Sequence, residues 1–376
     1  MSEPGGVHFA ELMSVGCDEV VVTFTTEHPA RVTTVIGGHS VVTEGTHHVA
    51  RVQELVPDTS YDLSVEGTSP DRWLPSEVHT LHRPHGELMA VVATANDVHF
   101  GETECGRTGD PATDAIGPIL RAAPGDDPYP EVMGRAAVAE IAALDPDAVI
   151  VKGDLTDTGR PEEYQAFLDT YGALGAGLHH VRGNHDALRD PTLAVCDAPY
   201  AVRLPGVTLA VLDTSSPWVE GGSLPESQRA WLDDLAAQSE VPVLVFGHHP
   251  VWDVDAAHPV DPRYVIAHDD TRALLDVFAR RERVAGYFAG HTHANRVRRY
   301  ERSRRRPMVE VACGKDYPGA WAEYRVYEEG YTQVMRRIAS PAALDWSERC
   351  RHMIQGIYRD LVLGGIDDRC FTELFA

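Results

Sequence analysis

Positive charge is scarce in this chain: Lys and Arg number 33 against 57 Asp and Glu, a formal net charge of -24. A field of that sign repels a polyanion unless a local basic surface or bound cations reverse it, so nucleic-acid polymers are poor substrates. Paired thiols are missing too. The six cysteines, at 17, 105, 196, 313, 350 and 370, show no CxxC spacing, which argues for free packing thiols in a reducing compartment. The start, MSEPGGVHFAELM, has neither a basic nor an apolar leader region, and no later apolar stretch approaches bilayer-spanning length. The expectation is a cytoplasmic protein with no membrane partner. Internal repeats and low-complexity tracts are likewise absent.

What is present suits a globular protein. The 376 residues are 43% hydrophobic and 24% charged, a length that suggests about two to three domains. From about residue 17 to 83, short β-rich runs (Glu19 to Thr25, Arg31 to Ile36, His48 to Leu55, Tyr61 to Glu66) alternate with Gly, Pro and Asp turns. His82-Arg-Pro84-His-Gly86 reads as a linker. Strand and helix then alternate, with apolar strands at Leu88 to Ala95, Ala148 to Lys152, Leu178 to Val181, Val207 to Leu212, Val241 to Phe246 and Val284 to Ala289. Amphipathic helices are expected at Glu131 to Leu144, Pro225 to Gln238 and Thr271 to Arg283. Beyond residue 295 strands return (Arg296 to Tyr300, Met308 to Ala312, Trp321 to Tyr327, Tyr331 to Ile338), which suggests a second sheet stacked on the first. The expected fold is α/β, a four-layer αββα sandwich preceded by a small all-β sandwich. Its parts are 1–84, 85–340 and a C-terminal helical extension, 341–376.

Polar clusters follow five of the apolar strands: Asp97-Val-His99, Gly153-Asp154-Leu-Thr-Asp157, Gly183-Asn184-His185-Asp186, Gly247-His248-His249-Pro250 and Gly290-His291-Thr-His293. In open α/β sheets the crevice beyond the strand carboxyl ends binds ligands, so these loops converge. Any one cluster is explained by an ordinary turn, and Asp157 by a helix-entry cap. Five in order are not. Carboxylate, imidazole and amide oxygen without thiolate suit Fe, Mn, Zn or Co rather than a structural Cys-based zinc site.

As a set, D-x-H, G-D-x-x-D, G-N-H-D, G-H-x-P and G-H-x-H resemble the calcineurin-like metallophosphoesterases over about residues 88 to 338. The resemblance implies that Asp97, His99, Asp154 and His293 hold one metal ion and that Asp154, Asn184, His248 and His291 hold the other. Both would be divalent, or the pair mixed-valence (Fe, Mn or Zn), with Asp154 bridging. Two such cations activate a bridging hydroxide for in-line attack on phosphorus. The resemblance also implies His185 as general acid or transition-state donor, oriented by Asp157. His249 is expected to support a ligand or reach substrate, and His180 to be a satisfied core histidine.

Leu55-Val-Pro57-Asp-Thr59-Ser-Tyr61 resembles the tyrosine corner of fibronectin type III sandwiches, with Phe24 where that family has an early tryptophan. A β-sandwich ahead of a phosphoesterase domain is similar to purple acid phosphatases, but Asp157 stands where they carry a metal-binding tyrosine, and His99 is an addition. Asp97-x-His99 with Gly-Asn184-His185-Asp186 looks instead like the class III cyclic-nucleotide and glycerophosphodiester phosphodiesterases. The expected activity is hydrolysis of a small phosphodiester, with a phosphomonoesterase as the alternative. A nuclease would want a basic groove, and an inactive scaffold would lack ligands. The Gly-, Pro- and Asp-rich stretch Phe100 to Pro130 is expected to select substrate, and Arg296 to Arg306 to form a solvated hairpin. The tail Asp345 to Ala376, with apolar residues at helical spacing, is expected to pack on the core or on the second subunit of a homo-oligomer.

Overall fold

The computed structural model of the protein describes residues 6–107, 111–115, 117–196, 198–253 and 258–375. Its first strands are β1 (Val7–Val15), β2 (Val20–Ile36), β3 (His39–Val52), β4 (Ser60–Val65) and β5 (Glu77–His79), joined in one antiparallel sheet. The long β2–β3 hairpin closes at Gly37 and Gly38, both with positive φ, as a two-residue hairpin turn requires.

Two six-stranded sheets follow. One has the order β17 (Cys370–Leu374), β16 (Gly330–Arg337), β15 (Ala320–Tyr327), β6 (Leu88–Ala95), β7 (Ala148–Lys152), β8 (Leu178–Val181). The other runs β13 (Arg296–Arg299), β14 (Pro307–Glu310), β12 (Val284–Ala289), β11 (Val243–Phe246), β10 (Val207–Val211), β9 (Tyr200–Leu204). The strands that carry the polar clusters, β6, β7, β8, β11 and β12, lie in the parallel groups β6–β7–β8 and β10–β11–β12, so each group delivers its loops to one edge.

Alternation along each strand builds the layers. Val92, Ile150, Leu244 and Phe246 face the core between the sheets, with Phe288, Tyr324 and Tyr331. Their neighbours Ala93, Val149 and Val151 turn outward onto Ala137 and Ile141 of the helix Tyr129–Leu144 and Phe167 of the helix Pro161–Tyr171. On the far side Val243 and Val245 meet Leu232 of the helix Glu226–Gln238 and Leu274 and Phe278 of the helix His268–Arg280. The result is the four-layer αββα sandwich with an all-β N-terminal region.

The sequence reading misses β1, β5, β9, the helix Pro161–Tyr171 and β17, and the strands after residue 295 do not form a sheet of their own: β13 and β14 join β9 to β12, while β15 and β16 join β6 to β8. After the helix Pro341–Cys350, the tail passes through short turns and ends as edge strand β17 beside β16. The stretch read as helical at 353–362 is helical only over Tyr358–Val362 and one 3₁₀ turn. The N-terminal sheet and the tail meet in a buried polar seam. Arg351 donates to Glu11 and Glu348, Arg337 to Thr23 and Glu348, and Arg369 to the carbonyls of Leu12 and Met13 at 2.8 and 2.6 Å.

Candidate metal centre

The turns after β6, β7 and β12 place Asp97, His99, Asp154, His291 and His293 at φ of 51°, 45°, 50°, 69° and 55°. This left-handed region is unusual for residues with side chains and tends to be held where function needs it. Glycines beside these residues make room. A Cβ on Gly183 would collide with Asp154, and one on Gly290 would lie 2.5 Å from Asp97 Oδ2.

The convergence is close. His99 Nε2 lies 3.5 Å and His248 Nε2 3.3 Å from Asp154 Oδ2, while His293 Nε2 lies 3.8 Å from Asp97 Oδ1. Asn184 Oδ1 is 3.1 Å from His248 Nε2. Asp97, His99 and His293 form one group whose donor atoms lie within 4.8 Å of one another; Asp97, Asp154 and His248 form another, and His248, His249 and His291 a third. All seven sequence-named donors therefore meet at one edge.

Outer hydrogen bonds set the ring orientations. His248 Nδ1 donates to the Lys152 carbonyl at 2.8 Å and His291 Nε2 to the Arg263 carbonyl at 2.8 Å, which leaves His248 Nε2 and His291 Nδ1 as lone-pair donors. His293 Nδ1 faces Asp316 Oδ2 at 3.5 Å. Both ring nitrogens of His99, and Nδ1 of His291, are buried without a hydrogen-bond partner. Such atoms are costly to bury unless something coordinates them, so the donor set fits metal ions.

Electrostatics divide the histidines: burial alone would lower His248 and His293, but Asp154 raises the first to about 9 and Asp316 and Asp97 raise the second. Burial, with Lys315 and His185 nearby, holds His99 well below the ordinary histidine value, and burial and His248 bring His291 down to about 4. Both stay neutral, as ligands must. Burial alone would raise the Asp154 carboxyl, but His248, His185 and His99 overcome it and hold it well below the carboxylate range.

His185 sits against this cluster. Its backbone N–H donates to Asp154 Oδ1 at 3.0 Å, and its Nδ1 donates to the Asp157 backbone carbonyl at 2.5 Å. The Asp157 carboxylate is farther, 4.0 Å from that nitrogen and 3.8 Å from His99 Nδ1. His249 is fully occupied by Thr214 Oγ1 at 2.9 Å and the Glu220 carbonyl at 3.0 Å, and His180 Nε2 pairs with the Tyr164 hydroxyl at 2.8 Å.

Three further residues shape the site. Asp186 accepts from the backbone N–H groups of Leu155, Thr156 and Gly183 at 3.1, 2.8 and 2.7 Å and from the Thr156 hydroxyl at 2.7 Å. It clamps the turns after β7 and β8 together. Its place in Gly-Asn-His-Asp was the available signal. Asp316 backs His293, and Lys315 pairs with Glu102 at 2.5 Å; both lie between β14 and β15, outside every recognised cluster.

Residues 90–295 match the family model described as calcineurin-like phosphoesterase. The chain belongs to the calcineurin-like phosphoesterases. Members of this family use a dinuclear metal centre, and this one brings together His and Asp groups able to bind metal. The chain is 32% identical over 170 residues to a glycerophosphodiester phosphodiesterase of Enterobacter lignolyticus (strain SCF1), covering 42% of this chain and 60% of that protein. It is 31% identical over 166 residues to a cAMP/cGMP dual specificity phosphodiesterase of Mycobacterium tuberculosis (strain CDC 1551 / Oshkosh), covering 40% and 50%. The match thus spans little more than half of these relatives. A dimetal phosphatase from Danio rerio shares the fold, with a TM-score of 0.54 at 16% identity over 77% of this phosphoesterase and 100% of that chain.

Proposed function

We propose that this chain is a dinuclear-metal phosphodiesterase acting on a small phosphodiester of the glycerophosphodiester or cyclic-nucleotide type. In this reading Asp97, His99, Asp154 and His293 hold one metal, and Asp154, Asn184, His248 and His291 the other. The observation that carries it is His99. Its ring lies 4.5 Å from that of His185 and 5.4 Å from that of His293, with both nitrogens buried and unpartnered. The printed activities of the two relatives, both phosphodiesterases, support the substrate class.

Nitrogen and oxygen donors without thiolate suit Fe, Mn or Zn. Bound divalent ions would supply Lewis acidity and an activated water. The chain's own contribution is orientation. Asp154 reaches both donor groups, and Asp186 holds its turn against the Asn184 turn. His185, tied through Nδ1–H to the Asp157 carbonyl, keeps Nε2 to hold a proton for the leaving oxygen. The side chain is 33% exposed and lines the cleft, where an ester oxygen can reach it. Lys315, paired with Glu102, borders the same cleft.

For the rest of the chain we take residues 1–84 as a fibronectin type III-like unit, 85–340 as the phosphoesterase domain and 341–376 as its C-terminal extension. Tyr61 supports the first assignment: its hydroxyl accepts from the Val56 backbone N–H at 2.8 Å.

The test is Mn- or Fe-dependent hydrolysis of bis(p-nitrophenyl) phosphate beside p-nitrophenyl phosphate, with metal analysis of the same sample. Diester preference with about two metals per chain is expected. Preference for the monoester would replace this reading with the phosphomonoesterase.

A further inference from the structure

A second cavity opens beside the metal cleft. The cleft has a volume of about 490 Å³ and the neighbouring cavity about 700 Å³. Five residues line both: Arg107, Tyr264, His291, His293 and Lys315. The two spaces therefore adjoin at the histidines.

The two spaces differ in chemistry. The cleft is walled by carboxylates and imidazoles, whereas the larger cavity has Trp252, Val265, Met353, Ile354 and Tyr358 in its wall. The aromatic groups are oriented. Trp252 Nε1–H donates to the His258 carbonyl at 2.7 Å, its ring lies under the Arg298 guanidinium at 4.3 Å, and the Tyr358 hydroxyl donates to Asp316 Oδ1 at 3.0 Å. Their polar ends are used up, which leaves apolar ring surface for a ligand. Arg296 and Arg298 share the single carboxylate of Glu310, which also accepts from the Thr292 hydroxyl. That excess of cationic charge disfavours a cationic head group.

The C-terminal segment builds much of this wall. Met353 packs on Cys105, with sulfur to sulfur at 3.7 Å, and Gln355 N–H donates to the Gly117 carbonyl at 3.1 Å. The tail thus fastens to the stretch after the first metal cluster. A space of 700 Å³ is in the range that encloses a drug-sized ligand and far exceeds what a glycerol-sized alcohol fills.

We propose that this cavity receives a planar, uncharged apolar group carried by one half of the phosphodiester, and that Trp252 and Ile354 are specificity-determining residues for it. This rests on the phosphodiesterase reading for its site, but its test does not require turnover. Phenylphosphonate and methylphosphonate carry the same anion, resist hydrolysis and differ in the planar group. Titration calorimetry with the metal-loaded full chain should find phenylphosphonate bound at least about tenfold more tightly, the gain from burying a phenyl ring. Ile354→Trp, which fills the cavity, and Trp252→Ala, which removes its aromatic wall, should each abolish most of that ratio while methylphosphonate binding stays unchanged. Thermal melts check that both variants are folded.

Equal binding of the two phosphonates, failure of both to bind, or a ratio that survives in both folded variants overturns the assignment. A preserved phenyl preference in a protein that cleaves only monoesters leaves the cavity assignment standing and removes the phosphodiesterase reading.

Discussion

Asp154 is the residue on which the centre depends, because its carboxylate lies within 3.5 Å of both His99 and His248 while also accepting from the His185 backbone. Asp154→Ala should remove metal and activity together, read by metal analysis and diester hydrolysis on one sample. His185→Ala should keep both metals and lower kcat by about 10²–10⁴-fold, the usual size of a lost proton donor; retention of activity in the first variant would sink the two-metal assignment. Gly183→Ala is expected to mimic the first, since the new methyl would collide with the Asp154 carboxylate. At this scale the candidate donors could be named from sequence because each lies in a short polar cluster that follows a strand, four of the seven (Asp154, Asn184, His248 and His291) directly after a glycine. The roles of Asp186 and Asp316 could not, since they act through backbone N–H groups and a histidine that only the folded chain brings near.

Elements legible from sequence are those whose apolar face needs no distant partner. β6, β7, β8 and β12 are short apolar runs ended by turn residues, and their expected limits match those found. β1 is not legible, because Glu11 interrupts its pattern and is buried against Arg351, 340 residues away, with Arg359 and the Tyr317 hydroxyl. β17 is an edge strand that exists because β16 offers it hydrogen bonds. The charged seam behind them makes a pH prediction. Burial alone would raise the Glu348 carboxyl, but Arg337 and Arg351 hold it at about 2 against an ordinary 4.5. Its stabilising contribution is therefore complete above pH 4.5 and lost as pH falls toward 2. Glu348→Gln should melt well below the parent at pH 6, with the gap closing as both are acidified; a gap independent of pH would mean that Glu348 acts by packing alone. Arg351→Met, which leaves Glu11 and Glu348 buried without their shared cation, should cost about 3–5 kcal/mol in denaturant unfolding.

Across the whole molecule, no described helix is long and apolar enough to cross a membrane, and the two six-stranded sheets, the helices packed on them and the N-terminal sheet are bound by shared cores. Met13 and Val21 from the N-terminal sheet and Trp346, Met353, Tyr358 and Leu363 from the tail lie in the same cluster as Phe100 and Ala137. A chain ending at residue 340 should therefore lose cooperative thermal unfolding and elute as aggregate, whereas a detachable tail would leave a folded, metal-binding remainder. The sequence alone determined the α/β alternation and the polar clusters that follow the strands, because these depend on local periodicity and on residue types in short turns. Only the tertiary structure decided that the tail closes a sheet and walls the second cavity, that Asp157 meets His185 through its carbonyl, and which histidine nitrogens remain free. Those outcomes depend on contacts between segments far apart in the chain, whose geometry no local pattern encodes.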